Sequence, residues 1–185
     1  IKNARDYKDT RQLIYEHKGM RKIMNDIKVD VIIPAYHPGK EFSVLIERLM
    51  KQTISIHRII VMNTEEKFWK KGLEEKYPVM EVHHLTKKEF DHGGTRARAA
   101  ELSDADIMVF MTQDAMPADK NLIENLVRAL NENENIGAAY ARQLPNAECS
   151  FVECYTRTFN YPEKSVVKTK KDLPVYGIKT FFCSN

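Results

Sequence analysis

The chain lacks the patterns that would place it quickly in a class. It has three cysteines in 185 residues. Cys149, Cys154 and Cys183 show no C-x-x-C spacing, and no nearby histidines complete a zinc set. An odd number leaves at least one thiol unpaired, and free thiols of a reducing compartment are the expectation. No run approaches the ~20 apolar residues that cross a bilayer. No secretory leader is visible either, although the chain opens at Ile1 rather than Met, which allows for an upstream piece. Charge of one sign is scarce: 29 Lys and Arg stand against 26 Asp and Glu, a formal +3. That surplus is too small and too evenly spread to indicate nucleic acid, and no basic cluster with interleaved aromatics occurs.

What is present is a composition of 43% apolar and 30% charged residues, that of a globular domain large enough to bury a core. Residues 1–28 show helical spacing through Leu13, His17, Met20, Met24 and Ile27, and predict a helical extension docked on its own domain or a partner. Its Lys and Arg also allow peripheral association with an anionic membrane.

From Val29 the pattern alternates between strands and helices. Strands are predicted at Val29–Pro34, His57–Met62, Val79–Leu85, Asp106–Met111 and Ile136–Arg142. Helices are predicted at Phe42–Gln52, Phe68–Tyr77, Thr95–Leu102 and Asn121–Asn131. Strands separated by helices of about ten residues imply an α/β fold, with a mostly parallel sheet covered on both faces. Leu144–Asp172 reads as loop-rich.

The first strand–helix turn, Pro34-Ala35-Tyr36-His37-Pro38-Gly39-Lys40, lacks the three-glycine spacing of dinucleotide folds. It also lacks the upstream glycine and following Ser or Thr of a phosphate-binding P-loop. The informative segments come later. A helix opening at Asp91-His92-Gly93-Gly94-Thr95-Arg96 starts at the sheet edge where its flanking strands end. The strand that runs into Thr112-Gln113-Asp114-Ala115 ends at that edge too, where open α/β sheets bind ligands. Exposed N–H groups near Gly93 and Gly94, the Arg96 guanidinium and the Asp114 carboxylate together suggest a metal–diphosphate site.

Local alternatives remain for each group. Asp114 can cap the turn into Pro117, and Arg96 can pair with Asp91 or Glu101. Asp91 can cap the helix, and His92 can face a ligand or serve structurally. Arg98 lies about 200° around the helix from Arg96, so the two do not reach one phosphate. A literal Asp-x-Asp at Asp104-Ala105-Asp106 precedes its strand, roughly 26 Å from Asp114 at 3.3 Å per residue, and is rejected as a ligand pair.

The run Val31-Ile32-Ile33-Pro34-Ala35-Tyr36, then Gly93-Gly94-Thr95-Arg96, then Phe110-Met111-Thr112-Gln113-Asp114-Ala115 resembles family 2 of the inverting glycosyltransferases. The similarity is to bacterial rhamnosyltransferase-like members. Ala139-Tyr140-Ala141-Arg142-Gln143-Leu144-Pro145, Phe159-Asn160-Tyr161-Pro162 and Ser184-Asn185 fit the same subgroup. The resemblance implies a GT-A nucleotide-sugar-binding fold over residues 29–185, with its C-terminal part truncated.

It implies further that a sugar moves with inversion from a nucleoside-diphosphate donor, dTDP-rhamnose or a UDP-sugar, to a cell-surface glycan acceptor. The expected setting is the cytoplasm or the inner face of the membrane. Gln113 and Asp114 would lie at the donor, with Asp114 holding Mg²⁺ or Mn²⁺. The family often supplies an Asp-x-Asp there, and this chain has one acid.

The nucleobase would lie against Pro34, Ala35 and Tyr36. Asn63 would stand where the family usually has aspartate, with Thr64 and Glu65 beside it. The carbonyl of Asn63 can accept a pyrimidine N3–H. The family's general base follows the position of Ser184-Asn185, so this chain is either a fragment without it or uses another group. Asp172 and Glu153 are available but unplaced. A non-catalytic nucleotide-sugar-binding module and a partner-docking domain are the other two readings.

Overall fold

The computed structural model describes residues 26–145, 149–161 and 163–177. The expected N-terminal helix lies outside the described residues except at 26–28, which form a turn into the first strand. Pro162, Cys183, Ser184 and Asn185 also lie outside them. The chain divides into two compact units, the first closing at Arg128 and the second opening at Ala129.

The first unit runs β1 (Val29–Tyr36), α1 (Lys40–Leu49), β2 (Arg58–Thr64), a 3₁₀ turn (Glu66–Phe68), α2 (Leu73–Lys76), β3 (Met80–Leu85), α3 (His92–Glu101), β4 (Ile107–Phe110) and α4 (Leu122–Asn131), whose last turn enters the second. The four strands are all parallel, in the order β3-β2-β1-β4. Alternate residues of β1 and β2 enter two cores, because successive strand side chains point to opposite faces. Val29, Val31, Ile33, Ile59 and Val61 pack with Phe42, Leu45, Ile46 and Leu49 of α1 and Ile123 and Val127 of α4. Ile32, Ile60 and Met62 pack with Ala99 of α3 on the other face. Helices therefore cover both faces, as the alternation predicted.

β1 continues two residues beyond the proline expected to end it. Its even-numbered positions face β4: Lys28 O accepts from Ile107 N and Ile32 O from Met111 N. The ladder to β4 ends at Ile32↔Phe110. Pro34 therefore falls where its missing N–H interrupts no pairing, which is how a central strand tolerates proline.

Two expected elements differ. Phe68–Tyr77 is not one helix: Trp69 is extended and Gly72 is left-handed with φ 92°, leaving a 3₁₀ turn and the single turn of α2. Ile136–Arg142 forms no strand among the described residues. Its Gly137-Ala138-Ala139 core offers little apolar area for a sheet to bury.

In the second unit, α5 (Phe151–Asn160) lies in the segment read as loop-rich, and α6 (Leu173–Tyr176) follows it. The overlooked signal is Ser150-x-x-Glu153: the Ser150 side chain accepts from Glu153 N as an N-cap. Cys149 and Cys154 flank that turn and form a disulfide, against the expectation of free thiols. The capped turn sets their Cα atoms 6.1 Å apart, within disulfide reach.

A charged hub closes the amino-terminal edge of the sheet. The fully buried Asp30 carboxylate accepts from Arg58 Nη2 at 3.1 Å and Ser103 Oγ at 2.8 Å, and pairs with His57 Nδ1 at 2.9 Å. Asp104 bonds Arg58 at 2.6 Å and Lys28 at 3.3 Å, and Asp106 accepts from Lys28 N at 2.9 Å. Burial works against the charge of Arg58, but Asp30 and Asp104 together raise its pKa above the ordinary value. Asp30→Ala should therefore cost about 3 kcal/mol in urea unfolding, since it strands the partners of a buried ion pair. Lys28 holds the Asp104 carboxyl below its ordinary value of 3.8. Its contribution is present above that pH and lost as pH falls through the lower folded value. Asp104→Asn should accordingly lower the melting temperature at pH 7, by an amount that shrinks as the pH is taken progressively below 3.8.

Candidate functional site

The strand order reverses direction between β1 and β4: β2 and β3 were laid down on one side of β1, and β4 on the other. A crevice opens at the carboxyl ends of such strands. Gln113 bridges it. Its Oε1 accepts from Tyr36 N at 2.8 Å, and its Nε2 donates to Tyr36 O at 3.0 Å. The side-chain amide thus takes over the pairing that the β4 backbone has ceased to make. Gln113 is at the expected edge, with one donor and one acceptor position already engaged in fixing it.

Asp114 follows and is exposed, with no hydrogen bond or ion pair to its carboxylate among the described residues. It does not cap the turn toward Pro117; the bond there is between backbone groups, Ala115 N to Thr112 O at 3.1 Å. A lone free carboxylate suits Mg²⁺ or Mn²⁺, which take one or two carboxylates plus phosphate oxygens.

The α3 start, which follows β3, lies on the same carboxyl edge as the end of β4, because all strands are parallel. One expectation about it fails. The N–H groups of Gly93 and Gly94 are not free: they donate to the two carboxylate oxygens of Asp91 at 3.1 and 2.8 Å. Asp91 N in turn donates to Thr95 Oγ1 at 3.3 Å. A negative N-cap favours the macrodipole, and it fills the place where a phosphate was expected to meet those amides. A Cβ on Gly94 would collide with the Asp91 carboxylate, so this glycine makes room for the cap.

Arg96 is half-buried and pairs with neither Asp91 nor Glu101 among the described residues; its Nη1 donates to His92 O at 2.9 Å. The guanidinium keeps its remaining donors. His92 is exposed, with its ring 5.1 Å from Phe90.

The ends of β1 and β2 complete the edge. Pro34 is half-buried, Ala35 buried and Tyr36 exposed. The rings of Tyr36, His37 and Phe68 contact one another, with centroids 3.2–6.1 Å apart. His37 at φ 49° and Glu65 at φ 65° are the non-glycine residues with positive φ among those described, and each directly follows a strand of this edge. Such outliers concentrate at functional sites. Lys67 bonds Glu65 at 2.9 Å and holds its carboxyl below the ordinary range.

Asn63 and Thr64 are buried, yet Asn63 Oδ1 and Thr64 Oγ1 have no hydrogen-bond partner among the described residues. An orphaned polar atom costs roughly 1–3 kcal/mol. His37, Phe68 and His84 were not among the expected site residues. The helix assigned to Phe68–Tyr77 concealed Phe68, and the other two carry no motif.

A second charged group calls for comparison. Asp30, His57 and Asp104 each bring one ligand atom within 4.8 Å of the others, a spacing that could hold a cation. They sit at the amino-terminal edge, where the Arg58 guanidinium already neutralises Asp30 and Asp104. Glu153 and Asp172 are engaged locally: Glu153 lies 3.7 Å from Arg157, and Asp172 accepts from Thr169 N and Oγ1.

Comparison with known proteins gives this edge a context. The chain is 37% identical over 160 residues to O-antigen chain rhamnosyltransferase RfbN of Salmonella typhimurium, a match covering 86% of this chain and 51% of that protein. It is 31% identical over 157 residues to O-antigen chain rhamnosyltransferase WbaN of Salmonella anatum, covering 84% and 49%. The chain thus spans about half the length of the curated relatives it matches. Among solved structures, residues 1–349 of Staphylococcus aureus TarS with UDP-GlcNAc align with TM-score 0.47 and 20% identity, over 65% of this chain and 38% of that one. Mycobacterium tuberculosis glucosyl-3-phosphoglycerate synthase with UDP aligns with TM-score 0.46 and 17% identity, over 60% and 42%. The profile of the family described as "Glycosyl transferase family 2" matches residues 30–185. With a parallel sheet of the expected GT-A class, the chain belongs to glycosyl transferase family 2.

Proposed function

We propose that this chain is the donor-binding part of a glycosyltransferase that moves rhamnose, with inversion, from dTDP-rhamnose to an O-antigen or related cell-surface glycan. The relatives named as O-antigen rhamnosyltransferases support the sugar and the acceptor class. The observation that carries the site is the free Asp114 carboxylate beside the β1–β4 reversal, on the same edge as Arg96 and the two orphaned oxygens of β2.

Each group has a part in this reading. The base lies toward Tyr36 and the end of β2, where Asn63 Oδ1 accepts its N3–H. Ala35 and Pro34 form the floor beneath Tyr36. Thr64 Oγ1 offers a further buried hydroxyl. Asp114 holds a divalent cation, which when bound offsets charge on the departing nucleoside diphosphate. Arg96 swings from His92 O to a phosphate oxygen, exchanging a neutral acceptor for an anionic one. Gly93 and Gly94 act through the Asp91 cap that orients the α3 start, and Gln113 holds the loop carrying Asp114 against β1. The reaction takes place on the cytoplasmic side, at the inner face of the membrane. No helix among the described residues is long and apolar enough to cross it. The acceptor's proton goes to a base that these residues do not include.

Calorimetric titration with dTDP and UDP, with and without Mn²⁺, tests the reading; no binding under any condition favours a partner-docking domain instead. Binding without transfer by the complete gene product favours a non-catalytic binding module. Asp114→Ala should weaken Mn²⁺-dependent dTDP binding about tenfold or more, while Asp104→Ala leaves it nearly unchanged. The reverse pattern would transfer the cation to the amino-terminal edge. Arg96→Ala should weaken dTDP about tenfold and thymidine far less, as loss of a charged hydrogen bond requires; equal losses exclude phosphate contact.

A further inference from the structure

We propose, on the cytoplasmic setting given above and independently of the donor, that Cys149 and Cys154 form a thiol–disulfide exchange site for glutathione. Its state opens or closes the first turn of α5. Ser150 is the N-cap of α5, so Cys149 directly precedes the cap and Cys154 is the fourth residue of the helix. At those two positions a pair of apolar side chains often meets across a helix start and fixes the entry angle of the chain. Here a covalent bond takes that place, with the Cα atoms 6.1 Å apart. It brackets the cap itself: Ser150 Oγ accepts from Glu153 N at 3.2 Å, and Ser150 O from Cys154 N at 2.9 Å. Both cysteines are half-buried and Ser150 to Glu153 between them are exposed, so a small thiol can reach the sulfurs.

Glutathione keeps accessible disulfides of that compartment in exchange rather than permanently closed. In the closing direction, one cysteine thiolate attacks glutathione disulfide, forming a mixed disulfide and releasing one glutathione thiolate. The second cysteine, as its thiolate, attacks the chain-side sulfur of that mixed disulfide and releases the other. Two protons pass from the chain thiols to the two glutathione thiolates. The chain loses two electrons and glutathione disulfide gains them. Reduction runs the same steps in reverse. Once opened, the turn is held by the Ser150 bonds alone, and helix ends fray most readily. The consequence travels further, because Glu153 lies 3.7 Å from Arg157, and Arg157 Nη1 donates to Gln143 Oε1. Fraying takes Glu153 away from Arg157 and loosens the hold of α5 on residues 139–145.

Cys183→Ser in the intact chain leaves this pair as its only cysteines. That chain is equilibrated with mixtures of reduced and oxidised glutathione, quenched in acid, alkylated and weighed. One two-electron transition should appear, half complete within the range of glutathione ratios that cells maintain. Amide exchange at Glu153 and Cys154 should be about tenfold or more faster in the dithiol than in the disulfide form. Met111 N, bonded to Ile32 O in the sheet, should not change. The side-chain amide resonances of Gln143 should shift between the two forms, and Cys149→Ser and Cys154→Ser should each match the dithiol. A pair that stays closed, stays open or stops at the mixed disulfide across that range overturns the proposal. Equal exchange rates in the two forms, or an unmoved Gln143, overturn it as well. Titration of both forms with dTDP reads the donor site separately, so its failure there leaves the exchange site standing.

Discussion

Parallel neighbours in a sheet need a crossover between them, and here the crossovers change side once, at β1. That reversal leaves the chain segments after β1 and β4 diverging from a common edge with no element of the sheet between them. The β4 backbone stops pairing at Phe110, four residues short of the end of β1. The Gln113 amide spans the interval with a two-way bond to Tyr36. Pro34 is tolerated, Tyr36 is held at the rim and Asp114 is set beside it because of this one arrangement. Remove the side-chain bridge and the crevice loses its registration, while the two cores beneath are untouched.

The two edges of the sheet differ in how far their polar groups are engaged. At the amino-terminal edge every oxygen of Asp30 is used, and Arg58, Ser103, His57, Asp104 and Lys28 form a connected network. A connected network of this kind rigidifies, although Arg58 Nε is buried without a partner among the described residues. At the carboxyl edge, Asn63 Oδ1, Thr64 Oγ1 and the Asp114 carboxylate lack partners among the described residues, and two residues hold left-handed backbones without being glycine. Local rules broken without compensation mark sites that something else completes.

Much of this was legible in the residues. The alternation of β-branched runs with amphipathic helices such as Phe42, Leu45, Ile46 and Leu49 located the sheet and both covering layers. Counting along β4 placed Asp104 and Asp106 at the far edge, where they bond Arg58 and Lys28. What escaped depended on partners remote in sequence. Periodicity could not show that Trp69 and Gly72 would break a helix. The 63–84 pairing needs the β2–β3 register, which no local pattern encodes. Gly93 and Gly94 looked like free donors, because the competition between a ligand and the Asp91 cap is settled by geometry. The Ser150 cap of α5 was readable in the Ser150-x-x-Glu153 spacing.

Charge at the carboxyl edge explains why the proposed donor site asks for a cation despite having one free acid. Asp91 places a carboxylate at the helix start and Asp114 adds a second to the same edge, while the Glu65 carboxylate is offset by its ion pair with Lys67. A diphosphate arriving there meets repulsion that the Arg96 guanidinium alone cannot offset. A second acid, as in an Asp-x-Asp pair, would deepen the repulsion in the free protein. A single exposed carboxylate keeps it smaller and leaves most of a cation's coordination sphere to phosphate oxygens, the arrangement hard divalent ions favour. Cation and donor would then bind as one neutralised unit, each weak without the other.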